Sequence, residues 1–257
     1  MLQRLVICQE QFLEQHFGQT YIADNELIRR YLQIYAAIKT KGTIMNITLR
    51  RETHQDYRTV ESLTRDAFWN LFVPGCDEHY LVHTMRNHPD FVKELAFVAE
   101  YNGEIIGNIM YLKTSVIQVD GNETLETLSF GPVCVAPQYQ HKGVGHQLIS
   151  HTMTLAASLN YKAIIILGYP HNYCKHGFKS SKDFNICDGS GRFPFGQLAK
   201  ELVPGVFKGK NWKYHLKDIY NIDPSAVEEF DKQFAHREKE YRISQEEFSI
   251  AVRAFLE

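Results

Sequence analysis

Between residues 138 and 148 the chain reads QYQHKGVGHQL, setting Gln140, Gly143 and Gly145 between an apolar strand and a helix. One glycine is enough for a turn, so this spacing points to a backbone that does chemistry itself. The first four N–H groups of a helix have no intrahelical partner, and the helix dipole gathers positive charge there. A phosphate fits such an end. Glycines at positions 143 and 145 remove the Cβ atoms that would hold an anion away, and Lys142 adds a mobile cation. A dinucleotide fingerprint would need Gly or Ala three residues after Gly145, where Leu148 stands, and no terminal G-K-[ST] of a P-loop is present. A ligand-free glycine turn is the plain alternative.

Other residue groups carry weaker signals. His171, Cys174 and His176 have the types of a zinc site, but no second pair has ligand spacing. His79 and His83 lie one helical turn apart without an H-E-x-x-H motif, which suits solvated or core-edge histidines. Cys134 has no fixed base near it in the chain and reads as a small core residue. Lys208, Lys210 and Lys213 read as a solvated face, with steering of phosphates as the alternative. The aromatic run from Ala67 to Gly75 has the bulk to line a pocket and suits the packing of a helix end equally.

These residues need elements to hold them. Residues 1–44 read as a helical extension, with apolar positions three and four apart in NELIRRYLQIYAAI, ending in KTKG. Met45 then reads as a fresh start, with a strand over 44–50 and an amphipathic helix from Tyr57. From Leu95 the apolar period becomes two, predicting a hairpin turned at Asn102-Gly103. ETLSFGPVCVAP predicts the next strand, residues 143–159 a helix, AIIIL a strand buried on both faces, and PHNYCKHGF a short helix or turn before a strand near DFNIC. The stretch 189–216 predicts turns, one short helix and an edge strand at 212–216. Asp223 starts a helix with Pro224 in its first turn, and Ser244 starts another with a capping box to Glu247. The order is mixed α/β with an antiparallel front half.

With these elements in place, Gln140-x-x-Gly143-x-Gly145 after a strand ending in Pro137 resembles the acetyl-CoA signature of the GNAT N-acetyltransferase superfamily. FGPVCVAP resembles its cofactor strand, AIIILG its splayed neighbour, and HNYCKHGF its closing motif, over roughly residues 45–186. The sequence ELVPGVFKG with its flanking strand resembles an uncharacterised bacterial subgroup. The resemblance implies a mostly antiparallel sheet with a splayed central strand pair flanked by helices. It implies three parts: the extension 1–44, a cofactor-binding domain 45–190 and a C-terminal extension 191–257 packed on it.

It further implies direct acetyl transfer from acetyl-CoA to an amine, with no covalent intermediate and no metal. By the same resemblance, the backbone of Val133, Cys134 and Val135 would hold the pantetheine arm as an added strand. An amide near Cys134 or Val135 would polarise the thioester carbonyl. The amides of His141, Lys142, Gly143, Val144, Gly145 and His146 would wrap the pyrophosphate while Gln140 steadies the loop. Asn172 would touch the cofactor near the wedge, and Tyr173 would protonate the departing thiolate. Several family members carry a glutamate where this chain has Ser129. Glu126 falls on the opposite strand face, so Glu123, Glu126, His176 and an ordered water all stand as proton acceptors.

The whole chain sets limits. At 257 residues with 44% hydrophobic and 23% charged residues it has the composition of a globular protein. A net charge of -2 argues against a nucleic-acid or acidic-membrane partner. Five scattered cysteines without C-x-x-C fit a reducing cytoplasm, and the N-terminus lacks the long apolar region of a signal peptide. A small-molecule or peptide amine is the expected partner, with homodimerisation through residues 1–44 open. The competing reading is a CoA-binding sensor or scaffold without turnover.

Overall fold

The computed structural model describes residues 45–257; the helical extension expected over residues 1–44 lies outside them. Thr53 and Asp56 form a reciprocal capping box, and Arg50 grips the Asp56 carboxylate with two hydrogen bonds of 2.7 and 2.9 Å. That arrangement launches α1 (Tyr57–Phe68) directly after β1 (Thr48–Arg51). Helix α2 (Glu78–Met85) follows. β2 (Phe97–Tyr101) and β3 (Glu104–Gln118) are joined at Asn102 and Gly103, whose φ angles of 51° and 81° match a tight hairpin turn.

β4 (Thr124–Val135) pairs antiparallel with β3, with a register shift between Ile109 and Tyr111. Helix α3 (Val144–Ser158) leads to β5 (Ala163–Leu167), and α4 (Pro170–Tyr173) continues into a 3-10 turn at Cys174–His176. After these come β6 (Lys179–Ser180), β7 (Ile186–Cys187), β8 (Phe193–Pro194), β9 (Gln197–Glu201) and β10 (Trp212–Tyr214). Helices α5 (Pro224–Asp231) and α6 (Ile243–Val252) precede the short β11 (Phe255–Leu256), which pairs with β8.

The main sheet runs β1-β2-β3-β4-β5-β9-β6, with β10 joined to both β3 and β7. All its neighbours are antiparallel except β4–β5 and β10–β7. Side-chain alternation separates the two faces. Met110 and Leu112 pack with Val60, Leu81, Val82 and Met85 of α1 and α2. Tyr111 points the other way, and its hydroxyl meets Thr152 of α3 at 2.8 Å, which lets a fully buried tyrosine keep a partner.

Three expectations are corrected. The stretch 189–216 holds strands and turns but no helix, because Gln197–Glu201 supplies the antiparallel partner that β5 otherwise lacks. The strand at 212–216 ends at Tyr214 and is not an edge: it is paired on both sides, and Trp212 is fully buried. Helix α6 has no capping box to Glu247. It begins at Ile243 with Arg242 as its cap, and the Ser244 hydroxyl donates to the Leu71 carbonyl at 2.8 Å.

Candidate active site

β4 and β5 share one registered pair, Leu128 with Ile164. Beyond it β4 runs on to Val135 and β5 to Leu167 unpaired with each other, so the two parallel strands open into a wedge at their C-terminal ends. In α/β sheets that is where ligands enter. The loop after β4 delivers the N-terminus of α3 to this mouth, and the loop after β5 delivers α4.

The loop has the backbone its residue types suggest. His141 and Gly143 are left-handed, with φ of 60° and 85°, and a Cβ on Gly143 would meet nothing within 4 Å. The first helical bond of α3 runs from the Gln147 N–H to the Gly143 carbonyl, and no side chain among the described residues caps the helix. The amides of Val144, Gly145 and His146 are therefore free to face an anion. A Cβ on Gly145 would touch only the Val135 side chain, at 3.6 Å. Gln140 donates to the Val135 carbonyl at 3.2 Å and ties the loop to the end of β4. Lys142 sits 5.3 Å from the Tyr139 ring centroid. The loop's glycines leave room beside these amides where side chains would intrude.

Val133 and Val135 are half-buried on β4 while Cys134 points inward, 3.5 Å from the Thr64 hydroxyl. Burial pushes the Cys134 thiol up to about 12, which removes it as a nucleophile. Asn172 is exposed on α4, its N–H bonded to the Tyr169 carbonyl. Tyr173 closes the wedge with its ring against Phe130 and Phe178, at 5.7 and 6.1 Å between centroids. Burial pushes its hydroxyl up to about 12, so it holds its proton throughout the neutral range.

The candidate proton acceptors are scattered. Glu123 pairs with Lys210, and Glu126 is exposed on the strand face opposite Ser129. His176 lies under the first turn of α3, its ring stacked on His146 at 4.9 Å. Ser129 is buried, with the hydroxyls of Tyr214 and Tyr220 brought alongside it, although Tyr214 makes no well-formed hydrogen bond.

The remaining groups settle elsewhere. Among the described residues no three His, Cys, Asp or Glu side chains group as a metal site. His79 is a core residue 3.0 Å from Asp231, and His83 meets Glu61 at 2.9 Å. From the aromatic run, Phe72 stacks on Phe248 at 4.7 Å and approaches Tyr169 at 6.3 Å, so it joins α6 to the loop before α4. A cavity of about 190 Å³ beside Trp69, Cys76 and Asp231 and one of about 340 Å³ beside Phe184, Phe207 and Lys208 both lie away from the wedge.

Sequence reasoning missed three positioning residues. A Cβ on Gly168 would stand 2.4 Å from Cε2 of Tyr173. One on Gly107 would press at 3.1 Å on Val144 and Leu148, where α3 rests on the sheet. Lys200 of β9 reaches over Gly177, near enough that a Cβ there would come within 2.6 Å of its Nζ. A glycine inside a strand signals a close approach, but the partner is not readable locally.

The family model of the acetyltransferase (GNAT) domain matches residues 93–180, which span β2 through the closing turn. Over those residues the chain carries a GNAT acetyltransferase domain. It is 29% identical over 163 residues to the uncharacterized N-acetyltransferase YhbS of Escherichia coli K12, covering 62% of this chain and 91% of that protein. It is 28% identical over 146 residues to the probable hydrolase YhcX of Bacillus subtilis, covering 51% of this chain but 27% of that longer protein. The fold of the GNAT domain is shared with the crystal structure of YhbS from Escherichia coli in complex with CoA, at a TM-score of 0.58 and 20% identity over 69% of this chain and 93% of that one. A GNAT family acetyltransferase from Brucella melitensis in complex with acetyl-CoA gives 0.52 and 20% over 68% of this chain and 99% of that one.

Proposed function

We propose that the protein transfers the acetyl group of acetyl-CoA directly to an amine. The observation that carries this is the convergence at one mouth of the open β4–β5 wedge and the uncapped, glycine-cleared N-terminus of α3. Bound there, acetyl-CoA supplies an activated acyl group. The amides of residues 141–146 hold its diphosphate, and the free edge of β4 at Val133–Val135 holds the pantetheine arm. Asn172 steadies the cofactor at the mouth. An amide near Cys134 or Val135 polarises the thioester carbonyl. Tyr173, protonated at neutral pH, gives its proton to the departing thiolate. Much of the acceleration then comes from holding amine and thioester together.

With Glu123 engaged, Glu126 on the other face and His176 under the loop, an ordered water beside Ser129 takes the amine proton. The relatives support the reading: one is named an N-acetyltransferase and solved with CoA, another is solved with acetyl-CoA. The setting we propose is the cytoplasm, where the free thiols of Cys76, Cys134, Cys174 and Cys187 stay reduced. A second reading, a CoA sensor without turnover, is favoured only by the hydroxyl at Ser129 in place of a carboxylate.

Thermal unfolding with acetyl-CoA, CoA and ATP tests the cradle. A ligand at 100 times its dissociation constant adds about 2.7 kcal/mol to the native state. Acetyl-CoA and CoA should raise the melting temperature and ATP should not. Gly145→Glu should abolish the rise while folding normally, because a carboxylate in the first turn suits the helix but repels phosphate. With an amine panel, Tyr173→Phe should lose roughly 10²- to 10⁴-fold in turnover with CoA affinity kept. No rise with either thioester or thiol refutes the cofactor reading, whereas binding without turnover on any amine leaves the sensor.

A further inference from the structure

His176 has an environment that packing does not explain. It is 7% exposed, and neither ring nitrogen has a hydrogen-bond partner among the described residues. A neutral imidazole carries one donor and one acceptor, and burying both unmet is costly. Phenylalanine or leucine would fill the same volume between α3 and the 3-10 turn without that cost. The ring lies against the first turn of α3, stacked on His146 at 4.9 Å with an interplanar angle of 28°. His146 is itself the third residue of that helix, and its amide is one of the free donors.

The groups around His176 are basic. His146 faces it from α3, Lys175 from its own turn and Lys200 from β9. His141 and Lys142 flank the same helix end from the loop, and none of these side chains forms an ion pair among the described residues. In the free protein, burial foremost, and then His146, Lys175 and Lys200, push His176 down to about 4, so the ring is neutral. A basic cluster thus surrounds a buried imidazole without a partner among the described residues, at an uncapped helix end.

We propose that His176, covered by His146, takes up a proton from solvent when a diphosphate seats on the N-terminus of α3, so that cofactor binding is linked to proton uptake. The imidazolium then has two donors and a dianion near it, which favours the protonated form. Release of the ligand returns the proton. Only the proton moves, and no bond of the cofactor is made or broken. The inference rests on the cofactor reading above.

The probe is dephospho-CoA, which keeps the diphosphate, ionised throughout the working range, but lacks the phosphomonoester whose own titration would confuse the result. Its affinity is measured by calorimetry from pH 5.5 to 8.5 in two buffers of different ionisation enthalpy. For the parent we expect affinity to weaken toward tenfold per pH unit as pH rises, with up to about one proton taken up per ligand. His176→Phe keeps a ring for the stack and removes the titration. It should bind with a shallower pH profile and less proton uptake than the parent, its fold being checked by its melting temperature, with His176→Gln as the second variant. A flat profile in the parent, or unchanged uptake in both variants, overturns the inference and leaves the cofactor reading standing. No binding of CoA or dephospho-CoA at any pH overturns both.

Discussion

Tyr173 is set in place by the glycine it leans on. With its ring packed where a Cβ on Gly168 would be, the tyrosine cannot keep its place if that position gains even a methyl group. Gly168→Ala should therefore move the hydroxyl by a distance of the order of an ångström and lower turnover by about 10²-fold, the scale of loss for such a misplacement. CoA affinity should hold, since the α3 cradle is untouched. Steady-state turnover beside calorimetric CoA affinity decides it: unchanged turnover would mean that the ring position does not matter. The contrast with the loop glycines explains what could be read in advance. Gly143 announces itself through its neighbours, because a strand end, two glycines and a helix start sit within a few residues. Gly168 and His176 are constrained by side chains that only the fold brings to them, Tyr173 in the one case and His146 in the other.

The same division holds for elements. The hairpin at Asn102-Gly103, the strand AIIIL and the helix behind Asp223 carry local signatures, and each forms where those signatures place it. β9 and β10 do not. GQLAKE carries helix-forming residues but becomes a strand because β5 needs a partner, and WKY is too short to show whether it lies at an edge. The difference is measurable at Trp212. Its ring is fully buried beside Phe207, and its indole N–H donates to the Phe207 carbonyl at 3.2 Å. Trp212→Ala should cost about 3–5 kcal/mol in denaturant unfolding, as for a large aromatic removed from a core. Lys213→Ala, on the same strand but half-exposed, should stay within about 0.5 kcal/mol. Equal, small effects would return β10 to the status of an edge.

At the scale of the whole molecule, the buried histidines couple stability to acidity. Burial foremost pushes both His79 and His176 down to about 4, against 6.5 for an exposed histidine. Between those values the unfolded chain binds protons that the folded chain refuses, so this contribution is present above pH 6.5 and is lost as pH falls toward 4. Carboxylates act in the same region with opposite signs. Glu52, Asp77 and Glu78 are raised by burial, so the folded state gains from their protonation as pH falls. Asp56, held down by Arg50, and Asp231, held down by Arg65, withdraw their support only below their ordinary range near 3.8. A single melting curve against pH would mix these terms, and a difference isolates the histidine. His79→Gln should be less stable than the parent at pH 7.5, because the ring packed against Phe230 and Phe234 is gone. The gap in melting temperature should then narrow steadily from pH 6.5 to 4, since only the parent has an imidazole whose refused proton favours unfolding. A gap that stays constant across that window would show that His79 titrates alike in both states, and that Asp231, 3.0 Å away, offsets the burial of the ring.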